Sequence, residues 1–218
     1  MLFDLRGRRR RAVQGTYLML ALLMGGGLVL FGIGGSVSGG LLDAFKGGGG
    51  PSADSAFKDQ IDKREERLQV NPQNQVILAS LVRDYYSLAT SQRPEGSSAF
   101  PADAKDDLRK AGSYWQRYSK LAENPSPAVA GYAVRIYDVS GLNRPKEAQQ
   151  AQAIVARSAN DAPSYLLLVS YAARAGDTRT ADLAGQKAVD LAPKDQKKLI
   201  KKQIEALKKA SQAQQPSG

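Results

Sequence analysis

Residues 164–195 read SYLLLVSYAARAGDTRTADLAGQKAVDLAPKD: two apolar-periodic segments joined by a Gly-Asp turn and closed by a proline. Tyr165, Leu168 and Ala172 precede the turn at Gly176 and Asp177, and Ala181 and Ala188 follow it before Pro193. Positions three, four and seven apart share one face of an α-helix, so this period is helical. Glycine turns the chain without steric cost and proline cannot continue a helix. The stretch therefore predicts a helix over 162–175, a tight turn, and a second helix over 178–191.

The same punctuation extends towards the amino terminus. Pro72, Pro94, Pro101, Pro125, Pro127, Pro145, Pro163 and Pro193 fall between apolar-periodic segments and never in the middle of one, as expected for an all-α chain. The remaining intervals predict helices at 55–70, 74–91, 102–123, 127–140, 145–159 and 195–212. No segment alternates with the period of a strand. Short breaks imply antiparallel neighbours; the longer Ser91–Pro101 stretch, with Gly96 and two serines after it, is a loop.

The Gly-Asp turn, the crossing alanines and the proline exit resemble the tetratricopeptide repeat, a unit of about 34 residues with small residues where its two helices cross. Tyr165 takes the large first position and Leu168 the following apolar one. Ala172 stands where tyrosine is usual, and Gly185 replaces a bulky residue. The pattern returns from Val129 with Tyr137, Gly141 and Ala148, where Asn143 and Arg144 lengthen the turn by about two residues. Leu78, Leu81 and Tyr85 fit an earlier first helix, and Ala111, Trp115 and Tyr118 its partner. The resemblance implies an α-solenoid of about three helical pairs, with a leading helix and a basic trailing helix as caps. An irregular helical bundle is the competing arrangement.

Upstream the chain changes character. From Ala12 to Leu42 no residue is charged, and Arg6, Arg8, Arg9, Arg10 and Arg11 stand directly before this stretch. An apolar run of roughly 20 residues crosses a hydrocarbon core of about 30 Å, and flanking arginines stay on the cytoplasmic side. The reading is a single transmembrane helix acting as signal anchor, with the amino terminus inside and the carboxy-terminal domain extracytoplasmic. A cleaved signal peptide remains the alternative. Ala21, Gly25, Gly32, Ser36 and Gly39 place small side chains on one helix face, suited to close packing by a second transmembrane helix and so to a homodimer. Fourteen of the 21 glycines precede residue 51, and KGGGGPSAD at 46–54 reads as a flexible linker. The expected organisation is a basic segment at 1–11, an anchor at 12–42, a linker at 43–54, a helical repeat domain at 55–193, and a basic capping helix and tail at 194–218.

Charge and composition narrow the function. The net charge is +10, but five arginines precede the anchor and seven lysines lie in the tail, which leaves 19 basic and 18 acidic residues between Ala12 and Pro193. A nearly neutral domain is not a nucleic-acid footprint. The absence of cysteine and histidine excludes disulfides, common zinc sites and His-dependent triads. Ser55 and Lys58 form Ser-x-x-Lys, yet its companion motifs are missing. The acidic pairs Glu65/Glu66 and Asp106/Asp107 read as solvated helix faces. Neither an enzyme nor a cofactor is expected.

In a repeat array the first helices of the pairs line the concave face. In this register they present Arg83, Tyr86, Arg135, Asp138, Ser170 and Arg174, a set suited to extended peptides with acidic groups. The carboxylate clamp of chaperone-binding members is not expected, since the aligned positions hold Ala79 and Arg83, Tyr132, and Pro163 and Leu167. In the trailing helix Leu199, Ile200, Ile204 and Leu207 are expected on one face, with lysines around the rest free to meet lipid head groups or wall polymers. The layout is similar to that of repeat-containing proteins beside the bacterial secretion translocon. It implies a membrane-anchored scaffold or chaperone-like adaptor for a protein partner, with a structural module tethered through its lysines as the alternative.

Overall fold

A computed structural model describes residues 53–214. The expected anchor with Ala21, Gly25, Gly32, Ser36 and Gly39, the arginines at 6 and 8–11, and most of the glycine linker lie outside the described residues. Within them the fold is all-α: eight helices and no strand, and no helix long and apolar enough to cross a membrane.

The helices are α1 (Ala53–Val70), α2 (Gln75–Ser91), α3 (Ala102–Leu121), α4 (Pro127–Tyr137), α5 (Pro145–Ala159), α6 (Ala162–Arg174), α7 (Thr178–Leu191) and α8 (Lys197–Gln214). Their starts are chemically marked. Side chains of Asn74, Asp161 and Asp177 accept hydrogen bonds from backbone N–H groups of the first turns of α2, α6 and α7 at 2.8–3.1 Å, which satisfies donors that a helix start leaves orphaned. Proline opens α4 and α5, where its missing N–H costs nothing. At the predicted turn Gly176 adopts φ of 75°, a conformation glycine reaches without strain.

Eight expected helices are found, and one boundary differs materially. The expected 127–140 helix ends at Tyr137 because the chain folds back over its end: Leu142 and Arg144 N–H groups donate to the Ile136 and Tyr137 carbonyls at 2.8 Å. A Cβ on Gly141 would stand 2.3 Å from the Ile136 oxygen, so only glycine lets the return pass. Asp138, expected on the helix, is instead its cap residue. A second correction concerns α8. Its buried stripe is Ile200, Ile204 and Ser211 with Leu207 beside them, whereas Leu199 is 57 % exposed, being one step of about 100° away from Ile200.

Consecutive helices pack on each other, α4 on α5 and α6 on α7 across short connections and α2 on α3 across the longer loop that contains Gly96. Alternate helices also meet, α2 with α4 and α6 with α8, but α4 and α6 make no close backbone approach. The apolar interior divides at the same place. One buried cluster gathers residues of α1 to α5 together with Tyr171; the other joins Ala156 of α5 to α6, α7 and α8. Polar contacts bridge the two. Tyr171 donates to Asp138 Oδ1 at 3.1 Å, Arg174 donates to Asn143 Oδ1 at 2.9 Å, and Gln149 donates to Asp177 Oδ2 at 2.6 Å.

Candidate functional site

Helix α2 carries a buried stripe, Leu78, Leu81, Val82, Tyr85 and Leu88, and therefore turns Arg83 away from the interior and leaves Tyr86 packed at its edge. Arg83 is 51 % exposed, and Tyr86 is half-buried. Across the gap, α4 buries Ala130, Ala133 and Val134, which leaves Tyr132 half-buried and Arg135 exposed on the other side. The two helices meet through Tyr86 and Tyr132, whose ring centroids are 5.4 Å apart at 55°, a tilted arrangement favoured by aromatic quadrupoles.

Beside this tyrosine pair a groove of about 540 Å³ opens between α2 and α4, with Val76, Ala79, Arg83, Val129 and Tyr132 among its walls. Val76 is 76 % exposed, an apolar side chain offered to solvent at the mouth. The α3–α4 connection closes one end: the Tyr118 hydroxyl accepts from Ser126 N–H at 2.9 Å, and Gln75 donates to the Leu121 carbonyl at 3.1 Å. The groove thus sets apolar Val76, Ala79, Ala128 and Val129 beside polar Gln75, Ser80 and Ser126, with Tyr132 at its flank and a cation at Arg83.

Arg83 is positioned by its neighbour. Asp84, 3 % exposed, receives Arg64 from α1 and Arg83 Nε at 3.4 Å. Burial pushes the Asp84 carboxyl above the usual carboxylate range, and the two guanidinium groups oppose that shift. The Asp84 contact uses only Nε of Arg83. Among the described residues Arg135 takes part in no ion pair.

The remaining expected site residues lie elsewhere. Asp138 and Arg174 are held against each other at 3.6 Å, with Arg174 also bound to Asn143 and its guanidinium 6.0 Å from the centre of the Tyr171 ring. Burial and the adjacent Asp138 push the Tyr171 phenol up to about 12. Ser170 is half-buried on α6. Of the six residues, Arg83 and Tyr86 stand by the α2–α4 groove and Asp138 and Arg174 pair at the seam where the α4 end meets α6, while exposed Arg135 and half-buried Ser170 join neither pair.

Sequence reasoning missed two carboxylates. Glu65, read as solvated, accepts from the Tyr85 and Tyr114 hydroxyls at 2.6 and 2.7 Å, and those rings stack at 5.8 Å. Burial, then the bond to Glu65, raises both phenols above their ordinary range. The signal was present: Glu65 lies four residues after Ile61 and three before Leu68, on the buried stripe of α1. Asp84 lies three after Leu81 and four before Leu88 in the same way. Glu66 is exposed as expected, and Asp106 pairs with Arg109 on the surface. Among the described residues no cluster of three or more His, Cys, Asp or Glu is arranged to hold a metal ion. Comparisons with protein-family models, with curated proteins and with solved structures find no match to this chain.

Proposed function

We propose that this chain is a single-pass membrane protein whose carboxy-terminal domain, a tetratricopeptide-like α-solenoid of three pairs, binds an extended segment of a partner protein outside the cytoplasm. The observation that carries the reading is the α2–α4 groove, where Tyr132, packed on Tyr86, lines one cleft with exposed Val76 and Arg83. Apolar side chains contribute affinity without direction, and a half-exposed guanidinium selects a carboxylate by paired, charge-assisted hydrogen bonds. Arg135, one turn beyond Tyr132, supplies a second cation on the same helix. The role is that of a scaffold or chaperone-like adaptor and involves no reaction. The uncharged stretch at 12–42 and its arginine flank support the anchored placement.

Crosslinking in intact membranes tests this reading. Arg83→Glu with Arg135→Glu is expected to abolish capture of a defined partner while leaving the helical content unchanged. Undiminished capture by the double variant contradicts the groove assignment. Protease added from outside is expected to degrade the domain, and full protection contradicts the orientation.

A further inference from the structure

Helix α8 buries one stripe and leaves a differently built face to solvent. Ile200, Ile204 and Ser211 are buried against the preceding pair, and α8 rests on both α6 and α7. Gly185 makes the close seating possible, since a Cβ there would stand 3.2 Å from Ile204 Cγ2. The helix is thus held in one rotation, and the opposite face is fixed outward.

That face has two parallel strips. Lys198, Lys202 and Lys209 are exposed at spacings of four and seven; beside them Leu199, Ala206 and Ala210 are exposed at spacings of seven and four. Between Lys194 and Lys209 the chain carries seven lysines against Asp195 and Glu205. Lys208 pairs with Asp182, but among the described residues none of Lys198, Lys202 and Lys209 takes part in an ion pair. A soluble cap needs charge alone on this face. A lysine strip running beside an apolar strip containing a 57 % exposed leucine matches the two layers of a lipid interface, anionic head groups above and acyl chains below.

We propose that the outward face of α8 docks on an anionic bilayer surface. Its lysines contact lipid phosphates and Leu199 enters the head-group boundary. The proposal stands on α8 itself and needs the membrane-anchored reading only to bring a bilayer within reach. It accounts for the net positive charge of the tail, which the groove between α2 and α4 does not use. Each lysine near such a surface strengthens binding about fivefold.

The chain has no cysteine, so Ala206→Cys in the full chain offers one attachment point for a polarity-sensitive fluorophore. The labelled protein is reconstituted in phosphatidylcholine vesicles and in vesicles rich in phosphatidylglycerol. A blue shift confined to the anionic vesicles and reversed by high salt is the expected result. Lys198→Gln, Lys202→Gln and Lys209→Gln together weaken it roughly 100-fold, and the three Lys→Arg changes retain it. Equal emission in neutral and anionic vesicles overturns the proposal, as does an equal shift when polyphosphate is added to neutral vesicles, which assigns the face to polyanions. The vesicle comparison uses the unaltered lysines, so it does not depend on how any lysine variant folds. Flotation with neutral vesicles reports insertion of the segment at 12–42 separately, so failure of the anchor and failure of α8 are distinguishable.

Discussion

The two ends of the described chain solve helix packing by opposite means. From α1 to α5 the interior is built of large side chains, including Tyr137, Leu78, Leu81, Leu108 and Ile136, all nearly or fully inaccessible. Two carboxylates tie it laterally, half-buried Glu65 joining α1 to Tyr85 of α2 and Tyr114 of α3, and buried Asp84 joining α2 to Arg64 of α1. From α6 to α8 the contact surfaces are Ala172, Ala181, Ala184 and Ala188, with Gly185 beneath Ile204. Large interlocking residues hold helices apart and leave clefts between them, such as the α2–α4 groove. Small residues bring backbones together at the α6–α7 crossing, yet a polar-rimmed cleft of about 630 Å³ still opens between α7 and α8, with Gly185, Ile204 and Lys208 among its walls. What sets the α2–α4 groove apart is its chemistry, exposed Val76 and half-buried Tyr132 beside Arg83, and on that the proposed recognition rests.

Removing the largest anchor of the first region is expected to do most damage. Tyr137 fills the α3–α4 contact, 1 % exposed, with its hydroxyl donating to the Gly112 carbonyl at 2.9 Å. Tyr137→Ala is expected to cost about 3–5 kcal/mol, as aromatic truncations in cores do, read as a fall in denaturation midpoint. Tyr137→Phe removes only one hydrogen bond and is expected to cost about 1 kcal/mol.

The second region should fail by overfilling instead. Ala188 has no accessible surface at the α6–α7 crossing, and Ala188→Leu is expected to cost about 1–3 kcal/mol. Hydrogen exchange should then rise mainly in α6 to α8. If α1 to α5 lost protection equally, the division between the two interiors would be wrong.

Alkaline pH should weigh on the cluster that gathers α1 to α5 and Tyr171, since four raised phenols lie in or against it. Tyr85, Tyr114, Tyr137 and Tyr171 all have phenol pKa values raised by burial, the last two to about 12. A group whose folded value lies above its ordinary 10.0 contributes stability that is intact below pH 10 and is lost as pH climbs through the folded value. Denaturation midpoints should thus fall between pH 10 and about 12 for Tyr137 and Tyr171. Tyr85→Phe with Tyr114→Phe should flatten that fall, while changes confined to α7 and α8 should not.

At the seam the expected effect is smallest. Asp138→Ala removes the acceptor of Tyr171 and the partner of Arg174, groups that are partly exposed and screened. A loss of about 1 kcal/mol is expected, with increased exchange in α6 to α8 and little change in α2.

Local chemistry made the helices legible. Prolines at 127 and 145 open α4 and α5, Asp161 and Asp177 cap α6 and α7, and Gly176 turns with positive φ as its position predicts. Features that depend on distant chain were harder. Glu65 meets Tyr114 across 49 residues, and no helical period can specify that contact. Asp138 left its helix because Gly141 and Leu142 fold back over the end, which a periodic pattern does not register. Half of the candidate groove was readable, since Arg83 and Tyr86 lie off the buried stripe of α2. Tyr132 joins it only once α4 packs beside α2.

The central claim is that a partner is held by the α2–α4 groove of the first region and not by the alanine-packed second. A photo-crosslinking residue placed singly at Ala79, Val129, Leu183 and Gln186 of the full chain in intact cells tests it most directly. Adducts of one defined size from Ala79 and Val129, lost on Arg83→Glu and absent from Leu183 and Gln186, are the predicted result. Adducts from Leu183 and Gln186 with none from the groove would contradict it.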